Sequence, residues 1–278
     1  MFEKLMTLAD LDGGEFEGPA SPERGDTLFG GHLIAQCLAA GQLTVADDRH
    51  VNSLHAYFTR PGDVDLPVTI TVHAVRDGRS FSWRETAASQ GGKELFRMSA
   101  SYQVPAESPD YARPARPDVP PPEEVPLTYG EFTMRQTGED TWDGMERPID
   151  IRYVNAPETS RGTAVTESQL MWMRIPERLP DTPAIHHAGL AYLSDATLVD
   201  HVMLPHGMRW QDGDFLGTSL DHAMWFHRFA RADEWLLFEQ TVESTGGGRG
   251  LARGYFFDRD GALIATCMQE GLMRWVRY

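Results

Sequence analysis

Two stretches of this chain nearly repeat each other. SLHAYFTR occupies residues 53–60 and SLDHAMWFHR residues 219–228. Each runs Ser-Leu, then His-Ala, then an aromatic, then Arg. The residues beyond each stretch keep step: Arg60 leads to the turn glycine Gly78 and on to Gln103, and Arg228 leads to Gly248 and on to Gln269. Self-similarity that holds register over such a length marks a duplicated unit. The chain must therefore fold into something that can be built twice from one helix and several long strands.

The repeated unit can be read locally. Behind Gly30-Gly31, the residues Leu33, Ile34, Cys37 and Leu38 recur at helical spacing. In PVTITVHAV, Val68, Ile70, Val72 and Ala74 fall on one face of a strand. RDGRS and QGG read as turns, with FSWRETAAS and ELFRMSASYQV as further strands. The second half gives the same order. HHAGLAYLSDATLVDHV reads as a helix over 186–202, and SLDHAMWFHR, EWLLFEQTVES, GLARGYFFD and ALIATCMQEGLMRWV read as strands. Between the halves, residues 105–126 hold eight prolines, a density that excludes a long helix or central strand. The expected division is residues 1–104, a proline-rich linker over 105–147, and residues 148–278. The fold class is α+β, two helix-wrapping antiparallel sheets joined edge to edge, which removes exposed edges and buries both helices.

Composition narrows the function. The formal net charge of −16 opposes nucleic-acid binding, and no basic run offsets it. No apolar run is long enough to span a membrane, and the acidic N-terminal stretch lacks a signal-peptide core. Cys37 and Cys267 stand far apart in apolar segments, as buried thiols of a reduced, cytoplasmic protein do. The histidines show no metal-ligand spacing. No metal and no cofactor is expected.

Several segments together carry a family resemblance: LFGGHLIAQCL, HAYFTRPGD, VRDGRSFSWR, LSDATLV, DHAMWFHR and MQEGLMR. In this order they resemble the type II acyl-CoA thioesterases, enzymes of the double hotdog fold. The resemblance implies hydrolysis of fatty acyl-CoA to free fatty acid and CoA. It also implies a water positioned by an Asp, a Thr or Ser, and a Gln, which match Asp195, Ser219 and Gln269. Ser219 keeps the hydroxyl of the commoner threonine but loses the methyl that restricts its rotamer; Thr218 is the neighbouring alternative.

The residues also have readings of their own. Asp195 falls on an apolar helical stripe with Ala191, Leu198, Val199 and Val202, where a carboxylate is costly unless paired or protonated. Such a group either caps and pairs or acts as a base. Asp200 falls on another face and makes a poor substitute. Gln269 interrupts the apolar face of Leu263, Ala265 and Cys267, and an inward amide needs partners. Gln103 occupies the matching place in the first half, but the first helix carries no carboxylate, so the chemistry belongs to the second copy. Gly30 and Gly31 could let backbone approach a substrate at a helix start. Arg60 and Arg228, with Arg84 and Arg253, are candidates for the CoA phosphates or else ordinary strand arginines. A nucleophilic serine has no support, because no G-x-S-x-G elbow is present. Two other functions stay open: a non-catalytic acyl-CoA-binding protein, and an enoyl-CoA hydratase. The latter is weakened because the Asn-Pro of its motif is missing and His201 comes one position late. The expected partners are acyl-CoA and further copies of this chain, as a homodimer or larger homo-oligomer.

Overall fold

The computed structural model describes every residue except 26, 140–141, 158–161, 210–214 and 276–278. A short helix, α1 (Phe2–Leu5), precedes β1 (Ala9–Asp10) and β2 (Glu15–Gly18). The first repeat comes next as α2 (Gly30–Gln42), β3 (His50–Phe58), β4 (Val68–Asp77), β5 (Phe81–Gln90) and β6 (Lys93–Gln103). After the proline-rich stretch come α3 (Tyr129–Thr137), β7 (Asp150–Tyr153) and β8 (Gln169–Arg174). The second repeat is α4 (Pro183–Ser194), β9 (Phe215–Ser219), β10 (Asp221–Phe226), β11 (Leu236–Gly246), β12 (Arg249–Phe257) and β13 (Leu263–Trp275).

The strands form one sheet in the order β1-β2-β4-β5-β6-β3-β10-β13-β12-β11-β8-β7, with β9 also on β13. Every pairing is antiparallel, and the halves join where β3 lies against β10. The two long helices pack against each other beneath the sheet. They run antiparallel: a Cβ on Gly30, at the start of α2, would sit 2.6 Å from the carboxylate of Asp195, just past the end of α4. A Cβ on Gly31 would lie equally close, 2.6 Å, to the Tyr192 carbonyl. Only glycine allows this approach. This is the double hotdog arrangement: each helix is wrapped by sheet, and Leu33, Ile34, Leu38, Leu190 and Leu193 are buried in the shared core.

Three details depart from the sequence reading. The second helix stops at Ser194, with Asp195 as its C-cap, and one-turn 3-10 helices lie beyond it at Val199–His201 and Leu204–His206. The cause is tertiary. The Thr197 hydroxyl donates to Gln240 Oε1, and the His201 ring bonds the same oxygen, which draws the chain out of the helix axis. Second, the repeated His-Ala is out of phase. Ala56 pairs with His222 across the seam, so His222 faces the core while His55 faces out. Third, Gln103 is not the counterpart of Gln269. The inward positions of β6 are Phe96, Met98, Ala100 and Tyr102, and Gln103 lies on the opposite face.

The proline-rich stretch crosses the outer surface of the second half. Trp172 Nε1 donates to the Pro120 carbonyl at 2.9 Å, and Arg259 pairs with Glu123 at 2.9 Å. The 105–147 segment also contains α3. Its start carries a reciprocal capping box, Thr128 bonding the Glu131 amide and Glu131 bonding back.

Candidate active site

The end of α4, the end of β9 and the middle of β13 converge on one point. Gln269, fully buried on β13, donates through Nε2 to Asp195 Oδ1 at 2.5 Å and to Ser219 Oγ at 3.0 Å. One amide nitrogen thus bridges a carboxylate and a hydroxyl with its two protons. Ser219 accepts from the amide, so its own proton remains available to a third group. The strand register sets His222 beside Gln269, and the His222 ring bonds Ser194 Oγ at 2.9 Å. Burial holds that ring neutral, its pKa lowered to about 3.

Asp195 is placed where its proton is mobile near neutrality. Burial raises its pKa to about 7; the Gln269 hydrogen bond, the Arg147 charge and the Gly31 amide pull the other way, and Glu23 adds a smaller upward push. Gly31 and Gly30 come from the first half, so the site is composite. The start of α2 also brings its unsatisfied backbone donors and positive dipole end to the same corner.

A cavity of about 550 Å³ opens here. Its wall includes Phe29, Gly30, Trp142, Arg147, Asp195, Asp200 and Ser219. Four further polar groups stand in or beside it: Asp200, which the sequence sets aside, and Tyr129, Arg147 and Glu23, which it does not mark. Asp200 is the second carboxyl of the cavity, raised to about 7 by burial, with Tyr129 donating to it at 3.1 Å. Its placement on another helical face fails because the helix has already ended. Arg147 pairs with Glu23 at 2.9 Å and lies 4.2 Å over the Phe29 ring. Tyr129 and Arg147 stand in or beside the proline-rich region, where no periodic pattern points to them. Glu23 sits in a loop, and its only mark is a carboxylate among prolines and glycines.

The structure keeps the candidate arginines out of this cavity. Arg60 is exposed and donates to the Glu94 carbonyl. Arg228 pairs with Asp110 and the Leu263 carbonyl. Arg84 is buried beneath the end of α2, bonded to Thr44 at 2.8 Å and Asp77 at 2.9 Å. Arg253 pairs with Glu243 at 3.0 Å. None of the four lines the wall around Asp195. Thr218 does line the cavity, yet Ser219 is the residue that Gln269 bonds. Among the described residues, no group of three or more His, Cys, Asp or Glu is placed to hold a metal ion, and no helix is long and apolar enough to cross a membrane.

Comparison with known proteins bears on the family and the fold. Residues 139–272 match the family described as acyl-CoA thioesterase, and residues 19–103 match the acyl-CoA thioesterase N-terminal domain. Human acyl-coenzyme A thioesterase 8 is 36% identical over 97% of this chain and 88% of its own length. The crystal structure of an acyl-CoA thioesterase II from Mycobacterium marinum superposes with a TM-score of 0.80, at 36% identity and 99% coverage of both chains. A hot dog fold protein from Alicyclobacillus acidocaldarius, 23% identical, gives a TM-score of 0.80 over 99% of this chain and 98% of that one, and so supports the fold alone. The family matches, the fold and the near-full-length similarity together place the chain in the acyl-CoA thioesterase family.

Proposed function

We propose that this protein hydrolyses fatty acyl-CoA to the free acid and CoA, with a water held by Asp195, Ser219 and Gln269. The observation that carries the proposal is the single amide bridging Asp195 and Ser219 in a cavity, with the carboxylate poised to titrate near neutral pH. A general base works best when its pKa lies near the working pH. The water donates one hydrogen bond to Asp195, and its oxygen attacks the thioester carbonyl carbon as Asp195 takes the proton. The negative charge develops on the carbonyl oxygen, next to the backbone donors at the start of α2. Collapse of the tetrahedral intermediate breaks the C–S bond, and the proton held by Asp195 passes to the departing thiolate, which restores the carboxylate.

The two alternative functions have less support. A hydratase would need His201 at the reacting centre, but that ring is committed to Tyr153 and Gln240. A passive acyl-CoA binder has no need of a bridged carboxylate held near its titration point. Free-thiol release from acetyl-, octanoyl- and palmitoyl-CoA tests the proposal. Turnover that Asp195→Asn abolishes is expected; no thiol release from any of the three, or an unchanged rate in that variant, overturns it.

The same proposal includes a cytoplasmic homodimer or larger homo-oligomer. Two buried free thiols suit a reducing compartment. Tyr57, Phe81 and Trp83 expose aromatic surface on the outer side of the sheet. Sedimentation of the purified protein tests the assembly, and a monomer at all concentrations would exclude it.

A further inference from the structure

The duplication leaves a second cavity in the position that corresponds to the catalytic one. The catalytic cavity forms where the start of α2 meets the chain leaving α4, beside Phe58 at the end of β3. Its counterpart lies at the start of α4, beside Phe226 at the end of β10. The agreement extends to the strands. β3 shifts register between Val51 and Ser53, as the chain of the second half breaks at Leu220 between β9 and β10. This second cavity has a volume of about 410 Å³ and includes Asn52, Gln103, Pro183, His187, Phe226 and Arg228 in its wall.

Its chemistry is inverted. Among the described residues, the lining holds Arg228 and the histidines His50, His187 and His227, and no carboxylate. Asp110 pairs with Arg228 at the rim, and its own side chain is largely exposed. Arg228 uses Nε and one hydrogen from each terminal nitrogen in its bonds to Asp110 and Leu263, which leaves guanidinium protons for another acceptor. The helix that begins here, α4, opens on Pro183, which has no N–H, and has no side-chain cap, so the donors at its start are the backbone amides that follow Pro183. A second, independent feature points to a ligand. His187 is 8% exposed, and its Nδ1 has no hydrogen-bond partner among the described residues. Its ring packs against Phe226 and His50, with centroids 5.4 and 6.0 Å away. Buried imidazole nitrogens are normally bonded. The remaining wall combines Ser108 with apolar surface from Val51, Pro105, Ala106 and Phe229. A cavity of this size, with apolar surface beside a few converging donors, is the usual form of a small-molecule site.

We propose that this cavity binds an amphiphilic monocarboxylate, its head group at the α4 start, Arg228 and His187, and its apolar body along Phe226 and Phe229. The choice of a carboxylic acid rests on the proposed hydrolysis, which produces one; the existence of an anion site does not. The site then holds product at the opposite end of the helix pair from the catalytic corner.

Calorimetric titration with sodium octanoate tests this without turnover. Wild type and Ser219→Trp are titrated side by side, and each cavity variant is made in the Ser219→Trp background, where the indole occupies the catalytic cavity. One molecule bound per chain is expected, weakened at least tenfold by Arg228→Met and about threefold by Asn52→Leu, a substitution at a half-exposed strand position that keeps the assay readable if the first variant fails to fold. Octanoate binding that disappears with Ser219→Trp alone, or that neither cavity variant changes, overturns the proposal. Inorganic phosphate forms the other arm: affinity equal to that of octanoate would show a general anion site and overturn the amphiphile. Absence of thioesterase activity would leave these titrations intact, so the two proposals fail separately.

Discussion

The two helix-start corners of this molecule are built from corresponding pieces and end in opposite chemistry. At the α2 start, the facing chain supplies Asp195, and a bridging amide ties it to Ser219. At the α4 start, the residue that closes the facing helix α2 is Leu43, an exposed side chain, and the wall is made of histidines and an arginine. Even the space beneath the α2 end is spoken for, by Arg84 and its bonds to Thr44 and Asp77. Duplication supplies the frame twice, whereas the proposed reaction depends on one C-cap residue, the amide opposite it and the hydroxyl that the amide bridges.

The largest expected effect comes at Asp195. Asp195→Asn keeps the shape but removes the base, and kcat is expected to fall by about 10² to 10⁴ with KM little changed. Steady-state thiol release measures it. Gln269→Ala comes next: it leaves Asp195 and Ser219 unbridged, and a loss of about 10- to 100-fold in kcat is expected. Ser219→Ala tests the weaker arm of the bridge. A loss of about threefold to thirtyfold is expected, with recovery in Ser219→Thr, because only the hydroxyl is required. Full activity in Ser219→Ala would move the role to Thr218 or to backbone.

The smallest effect sharpens the comparison through pH. Asp195 must be ionised to act, so kcat/KM is expected to rise with pH through about 7. The Asp195 charge contributes to the raised pKa of Asp200, and such coupling is reciprocal, so Asp200→Asn is expected to move the midpoint modestly toward lower pH. Stability moves the other way. Both carboxyls have pKa values raised from 3.8 to about 7, so the folded state holds these protons more tightly than the unfolded state. Their contribution is complete below about pH 4 and is lost as pH rises through 7. Tm is therefore expected to decline between pH 5 and 8, less steeply in Asp200→Asn, as thermal unfolding at fixed ionic strength will show.

Much of this architecture is legible in the sequence. Strand alternation in PVTITVHAV and the apolar spacing behind Gly30-Gly31 report burial directly, and the repeated order of elements reports the pairing of halves. Asp195, Gln269 and Ser219 are visible because each is a polar residue in a stretch whose family pattern is strong. The hidden part depends on contacts between distant segments. The helix ends at Ser194 because Thr197 and His201 find Gln240, more than thirty residues away in sequence, and no local rule could report that. Asp200 is misplaced for the same reason. Arg147 and Tyr129 enter the cavity from a region that reads as a crossing. The His-Ala echo shows the reverse error: matching letters, out of step across the seam, put His55 and His222 on opposite faces of one sheet.

The seam between β3 and β10 has a consequence for how the catalytic corner comes together. Gly30 and Gly31 arrive from one half, and Asp195, Ser219 and Gln269 from the other. Because a peptide chain joins the halves, their encounter is intramolecular and independent of how dilute the protein becomes. Each half is also free to drift on its own, since a change in one is not copied into the other. A nick within residues 105–126 would return the corner to mass action, with activity rising with the concentration of paired fragments.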